Sequence, residues 1–170
     1  MKLVIAGGLF FIFLLAEVKS MTLTPLYGYA HSQYGVHYYT LNASVIGYGT
    51  PAGLVGRHSY RSEGITCLME TEQLGVPLHH YQKHGGNLYT TNTTEADNSY
   101  TYLGKVGYCY RTQETHTVPL YRYKKTVYNI LDHYYTTDAN KIGLVTPGTT
   151  GNNGYTYEGV ACFVYNVKYH

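Results

Sequence analysis

An internal repeat, present three times, limits the fold of this chain more than any other feature of its sequence. Each unit opens with similar residues: PLYGY (25–29), PLHHY (77–81) and PLYRY (119–123). Each continues into a second block: HYYTLNAS (37–44), NLYTTNTT (87–94) and HYYTTDAN (133–140). Each ends in a third block: YRSEGITCLM (60–69), YTYLGKVGYC (100–109) and YTYEGVACFV (155–164). Units of this length cannot bury their own apolar faces, so we predict that units 25–76, 77–118 and 119–170 share one core.

The composition of the units is typical of β-strands. Tyr, Thr and Val dominate the blocks, while Gly, Asn and Pro mark the turns, and no window has a helical period. We therefore predict one all-β domain over 21–170 with about four short strands per unit, two of them at YTYEG and ACFVY. Three four-strand units with pseudo-threefold symmetry favour a β-trefoil. A small propeller-like ring, which usually needs four or more blades, and a sandwich are the alternatives.

The first twenty residues have the pattern of a secretory signal peptide. Lys2 precedes an uncharged, mostly apolar run over 3–16, and small residues follow near Ser20. The run is shorter than the ~20 residues that a membrane-spanning helix needs. We therefore predict a signal peptide over 1–20 and a secreted, extracellular protein with no membrane segment after cleavage.

The content of aromatic and charged residues limits which side chains can form the core and which classes of partner the protein can bind. The chain has 22 Tyr, 4 Phe and no Trp. The core must therefore be built largely from Tyr, Leu, Val and Ile, and each buried Tyr hydroxyl needs a hydrogen-bonding partner. The formal net charge is only +2 and no basic stripe occurs, which disfavours nucleic acid and anionic membranes as partners.

Two positions of the repeat change together. The units place His37, Asn87 and His133 in one column, and Glu63, Leu103 and Glu158 in another. A His accompanies a Glu in units one and three, which predicts that the two side chains are in contact and satisfy each other's hydrogen bonds. One interpretation is a structural clasp that Leu103 replaces apolarly in unit two. The other is a pocket for a polar ligand such as a sugar, in which Tyr39 and Tyr135 take part.

The same blocks carry a family resemblance. The pattern PLYR-Y, HYYTT and YEGVA resembles the tandem repeats of a secreted family of unknown function, found C-terminal to catalytic domains of bacterial cell-wall lysozymes and in secreted animal and fungal proteins. The resemblance covers nearly all of the chain after the leader, and HYYTT and YEG are its most specific parts. Unit two departs from it at Asn87 and Leu103. The resemblance implies an extracellular, accessory, glycan-associated role and supplies no activity.

Two N-glycosylation sequons fall at the same point of their units. Asn42 and Asn92 each lie two positions after the threonine of a YYT or LYT segment, where a turn is expected, and Asp138 holds the matching place in unit three. In a secreted protein we predict that both asparagines carry N-glycans.

The cysteines leave several pairings open. Cys67 and Cys162 fall in the same repeat column, and Cys109 lies two positions further along its unit. Three is an odd number for an oxidising compartment. A Cys67–Cys162 bond, a bond that includes Cys109, and buried free thiols are all compatible with this spacing.

The remaining motifs favour a non-catalytic protein. His79, His80 and His84 cluster, but adjacent residues of a strand point to opposite faces, so we predict no metal site and no cofactor. No nucleophile elbow or catalytic triad spacing is present. We predict a secreted binding module for carbohydrate, with glycans or extracellular matrix components as partners. An extracellular structural or mucus protein is the alternative, and a hydrolase is the least favoured.

Overall fold

Strands are the main secondary structure of the part of the chain that the structure describes. The structure is a computed structural model, and it describes residues 22–49 and 51–169. The predicted signal peptide lies outside these residues. The nine strands of this part are β1 (Leu23–His31), β2 (His37–Thr40), β3 (Tyr60–Glu70), β4 (Val76–Lys83), β5 (Gly86–Thr90), β6 (Thr101–Cys109), β7 (Thr117–Val127), β8 (Ile130–Thr136) and β9 (Thr156–Tyr165). Among the described residues, helices occur only as short 3-10 turns, and none could cross a membrane.

The strands form three antiparallel groups, one on each sequence unit. In every group the first strand lies between the other two: β1 pairs with β2 and β3, β4 with β5 and β6, and β7 with β8 and β9. The all-β prediction is confirmed. The prediction of four strands per unit is wrong, because each unit contributes three.

The missing strand of each unit is explained by a glycine. YTYEG and ACFVY, predicted as two strands, form the single strand β9, whose pairing with β7 shifts register beside Gly159. Gly159 has a φ of 141°, and its counterparts Gly64 and Gly104 have φ values of 88° and 121°. Because glycine adopts such angles without a steric penalty, the strand bulges and bends at this point and its pairing continues.

The last strands of the three groups meet one another. Glu70 of β3 pairs with Tyr108 of β6, and Leu68 of β3 pairs with Tyr165 of β9. A bridge between Tyr110, which directly follows β6, and Phe163 of β9 joins the second and third groups. The three groups are therefore joined through their final strands, which encloses a shared interior.

That interior is filled by equivalent residues of the three units. Leu26, Leu78 and Leu120, the second residues of the opening blocks, are each at most 1% exposed. The same cluster contains Met69, Val164 and the three cysteines. Cys109 and Cys162 form a disulfide bond, while Cys67 is a buried free thiol. The structure thus selects one of the pairings that the sequence left open.

Three tyrosines close a ring of hydrogen bonds in the middle of this core. They are Tyr39 of β2, Tyr89 of β5 and Tyr135 of β8, each 2% exposed. Each hydroxyl donates to the carbonyl oxygen of one neighbour and accepts from the backbone N–H of the same neighbour, at 2.7 to 3.1 Å. The rings meet edge to face, with centroids 5.4, 5.5 and 5.6 Å apart. Every hydroxyl is thus satisfied although the site is closed to water.

Candidate functional site

His37 lies between two carboxylates. Its Nδ1 is 2.8 Å from Oδ2 of Asp132, and its Nε2 is 3.6 Å from Oε2 of Glu63. The backbone N–H of His37 also donates to Oδ1 of Asp132 at 2.7 Å. Asp132 is fully buried on β8, and the Tyr155 hydroxyl donates to its Oδ2 at 2.6 Å. The predicted contact between His37 and Glu63 is therefore present, and Asp132 of unit three adds a second carboxylate.

This arrangement keeps the imidazole of His37 charged. Burial, the largest single influence, acts to lower its pKa, but the hydrogen bonds and charges of Asp132 and Glu63 together raise the pKa of His37 from 6.5 to about 9. Burial likewise acts to raise the pKa values of Asp132 and Glu63, and His37 outweighs it, so both pKa values are lowered. At neutral pH the group is one cation between two anions.

We expect the charge of His37 to appear in both titration and stability. Because the folded-state pKa of about 9 exceeds the unfolded value of 6.5, its stabilising contribution is complete below pH 6.5 and is lost as the pH rises through about 9. Asp132 and Glu63 contribute above their unfolded pKa values of 3.8 and 4.5, and these contributions are lost as the pH falls. Histidine NMR titration of the intact protein checks this directly, and a His37 ring that titrates at or below 6.5 contradicts it.

The equivalent pair in unit three has different electrostatics. Nε2 of His133 is 3.6 Å from Oε2 of Glu158, and its Nδ1 donates to the carbonyl oxygen of Asn87 at 3.1 Å. Glu158 is also bound by Arg122, whose Nε lies 2.9 Å away, and by Lys124, whose Nζ lies 3.0 Å away. Burial lowers the pKa of His133, and the charge of Arg122 lowers it further against the pull of Glu158. The carboxylate of Glu158 is thus already bound by two cationic side chains of its own unit.

Unit two replaces the pair in a way that the sequence did not indicate. Leu103, predicted to fill a buried position, is 50% exposed. The prediction is wrong because this column faces the surface, and only a long Glu side chain reaches back to the histidine. Asn87 is buried and accepts from Nε2 of His80 at 2.9 Å, while its amide donates to the carbonyl oxygen of His37 at 2.8 Å.

A cavity of about 650 Å³ opens beside His37 and Glu63. It lies between the first and third groups and is about the size of small-molecule sites in proteins. Its walls combine a charged pair, three further cations and two tyrosine rings with small residues: Ala30, Gly35, His37, Arg61, Glu63, Lys125, Tyr134, Lys141, Ile142, Asn153 and Tyr155. Such a surface can offer hydrogen bonds, charge and aromatic faces to one ligand.

Two exposed tyrosines, Tyr34 and Tyr128, lie one and three residues along the chain from the wall residues Gly35 and Lys125. Tyr34 directly precedes Gly35 of the cavity wall, and its ring lies 5.9 Å from that of Tyr128 at 75°. Tyr128 is 74% exposed and Tyr34 is 38% exposed. Tyr128 has a φ of 49° and Asn129 a φ of 63° in the two-residue turn between β7 and β8. Such turns favour Asn and Gly, so a bulky ring is held here in an unfavourable backbone conformation.

The other predicted site residues fall into two classes. The hydroxyls of Tyr39 and Tyr135 are fully used in the core ring, which favours a structural role for both. Asn42 and Asn92 are exposed, and each side chain accepts from the backbone N–H two residues further along, at 3.1 Å. The predicted turns are therefore present.

Among the described residues, no group of three or more His, Cys, Asp or Glu side chains is arranged to hold a metal ion.

Sequence reasoning missed Asp132, Tyr155 and the cations of the cavity. Asp132 has no counterpart in the other units, where Val36 and Gly86 hold the matching positions. Tyr155 shares a column with Tyr60 and Tyr100, but the repeat gives no sign of its hydrogen bond to Asp132. The contact between His37 and Asp132 joins residues 95 positions apart in different units. Nothing in a single sequence signals it.

Comparison with known proteins gives one informative result. A family model matches residues 25–165, which include most of β1 and all of the other strands. No curated protein and no solved structure matches the chain. The match covers all three sequence units, and inferences about function must come from the geometry of the chain itself.

Proposed function

The chain belongs to the family described as a domain of unknown function (DUF5648), and because that description names no activity, we propose from the site that the protein is a secreted, non-catalytic module that binds carbohydrate. The observation that carries this proposal is the cavity beside His37 and Glu63, together with the paired, exposed rings of Tyr34 and Tyr128 on the segments that continue from its wall. The likeness to repeats that follow lysozyme catalytic domains agrees with a glycan-associated role.

The tyrosine pair supports a ligand with flat apolar faces and polar edges. Sugar rings present such faces, and Tyr side chains supply large, rigid, amphipathic contact area with little loss of conformational entropy. A strained backbone at Tyr128 is the kind of local cost that functional sites retain. The Tyr128 ring is 74% exposed, so burial in the core does not account for it.

The state of His37 argues against catalysis at this cavity. A general base must be unprotonated at the working pH, and the carboxylates of Asp132 and Glu63 raise the pKa of His37 to about 9. Both ring nitrogens already face carboxylates, so neither is directed at a substrate. The group is suited to holding Glu63 in position as a hydrogen-bond acceptor for hydroxyls.

The proposal includes an arrangement of the three units around a pseudo-threefold axis, as in a β-trefoil. The cyclic tyrosine ring supports it, since each unit gives and receives the same two hydrogen bonds. The meeting of β3, β6 and β9 supports it as well. An experimental structure in which the three groups fail to superpose after rotations by a third of a turn would refute this part.

Secretion and glycosylation complete the proposal. The exposed turns at Asn42 and Asn92 leave both amides accessible to modification. Protein collected from the medium of eukaryotic cells should lose mass when its N-glycans are removed enzymatically. Retention inside the cells, or an unchanged mass, contradicts this part.

A glycan array probed with the glycosylated full-length protein tests the binding function. We expect binding to a defined class of glycans, and a fall in affinity of about tenfold, ~1.4 kcal/mol, for Tyr34→Ala/Tyr128→Ala. Tyr102→Ala is the matched control, because Tyr102 is 52% exposed on β6, away from the cavity. Absence of binding to every glycan, or equal losses in the two variants, would reject the proposal.

A further inference from the structure

We propose that the cavity beside His37 and Glu63 selects a carbohydrate that carries a carboxylate, held by Arg61 and Lys141 at the cavity wall. This inference rests on the proposed function and names the class of ligand for the same site. It is based on the positive charge of the cavity and on cations that are free to bind a ligand. Comparison of the repeat units then shows why the His–Glu pair is open in unit one and not in unit three.

The cavity has an excess of positive charge. Arg61, Lys125 and Lys141 line it, together with the charged pair of His37 and Glu63. Asp132 lies behind His37, fully buried, and its charge is matched by the imidazole at 2.8 Å. The group of His37, Asp132 and Glu63 therefore carries one net negative charge, and the three remaining cations outnumber it, which sets a positive potential that favours anionic ligands.

Two of these cations are free to bind. Arg61 is exposed, and its side chain forms no hydrogen bond or ion pair with any of the described residues. Lys141 is exposed too, and its charge lowers the pKa of Glu63 although the two groups form no ion pair within 4.0 Å. Lys125 is partly engaged, because its Nζ donates to the carbonyl oxygen of Asn153 at 3.1 Å and lies over the Tyr155 ring. A planar guanidinium binds a carboxylate through two parallel hydrogen bonds, which suits Arg61 to this role.

Glu63 can accept hydrogen bonds from the hydroxyl groups of a sugar whose carboxylate is bound by the cations. Its side chain is 37% exposed, and one imidazole contact at 3.6 Å leaves most of its acceptor capacity available. Carboxylates accept hydrogen bonds from hydroxyls, so Glu63 fits the hydroxyl edge of a sugar ring whose acid group faces the cations. A simple anion would leave this side of the cavity unused.

The third unit shows why only one such site exists among the described residues. Arg122 and Lys124 of unit three bind Glu158, and the matching positions in unit one are Gly28 and Ala30. Ala30 lines the cavity, so the short side chain leaves the space that Lys124 fills in unit three. In unit three, Glu158 is therefore already bound by Arg122 and Lys124, whereas in unit one Glu63 has no such partners at the matching positions and remains open to a ligand.

The test compares matched glycans on the full-length glycosylated protein. Sialylated and uronic-acid oligosaccharides are titrated by calorimetry beside their neutral parents, such as 3′-sialyllactose beside lactose. We expect at least one acidic member to bind about tenfold or more tightly than its parent. We also expect this preference to weaken with added salt, because the charges involved are exposed.

Variants at the exposed cations separate this inference from the proposed function. Arg61→Gln/Lys141→Gln should abolish the preference for the acidic glycan and leave the melting temperature unchanged, while Lys124→Gln, the matched control in unit three, should keep the preference. Neutral glycans that bind as tightly as acidic ones, or an unchanged preference in the double variant, overturn the inference but leave carbohydrate binding standing. Failure of all glycans on the array rejects both.

Discussion

Loss of the Cys109–Cys162 disulfide is expected to lower the free energy of unfolding by about 4 kcal/mol. The bond joins residues 53 positions apart, and closing a loop of this length restricts the unfolded chain by roughly that amount. It also links the second and third groups, between which the described residues form one β-bridge, that of Tyr110 with Phe163. Urea denaturation of Cys109→Ala/Cys162→Ala measures the effect.

Cys67→Ala is the matched control, since it removes a buried sulfur from the same cluster and leaves the bond intact. It should cost about 1 kcal/mol, the effect of losing one small buried group. Burial raises the pKa of the Cys67 thiol well above its usual value, so the folded protein should resist alkylation at this residue. Equal stability of the two variants, or alkylation of Cys109 in the folded protein, contradicts the assignment.

Replacement of Tyr89 by Phe is expected to cost about 3 kcal/mol. The hydroxyl accepts from the backbone N–H of Tyr39 and donates to the carbonyl oxygen of the same residue, both at 2.8 Å. Phenylalanine fits the space but leaves these two buried backbone groups without partners, and each such loss costs about 1–3 kcal/mol. Equilibrium unfolding of Tyr89→Phe measures it.

Tyr102→Phe provides the comparison for the tyrosine ring, because it removes a hydroxyl from a half-exposed side chain where water can replace the lost bond. Its effect should stay within about 0.5 kcal/mol, as for most surface changes. A Tyr89→Phe protein of equal stability would show that the ring hydrogen bonds do not support the fold.

The repeat predicted the shared core because burial recurs at equivalent positions. Leu26, Leu78 and Leu120 hold the same place in the three opening blocks, and the structure buries all three. The number of strands was not predictable in the same way. A glycine within a strand reads as a turn in sequence, whereas Gly159 allows β9 to bend and continue.

Only part of the candidate site could be predicted from the sequence. The contact of His37 with Glu63 followed from two columns that change together, and its geometry is present at 3.6 Å. Asp132, Arg61 and Lys141 belong to no shared column, since each occurs in one unit only. Lys125 does have a counterpart, Lys83, but that column alone gives no sign of the cavity. Contacts between units depend on how strands β2 and β8 approach in space, which no local pattern encodes.

The tyrosine ring has a consequence for synthesis of the chain. Each of the three residues gives its hydroxyl to one neighbour and receives a hydroxyl from the other, so any pair without the third leaves buried main-chain groups unsatisfied. A growing chain therefore cannot complete its interior until Tyr135 has left the ribosome. We therefore expect the first two units to reach their final packing only together with the third, in one cooperative folding event.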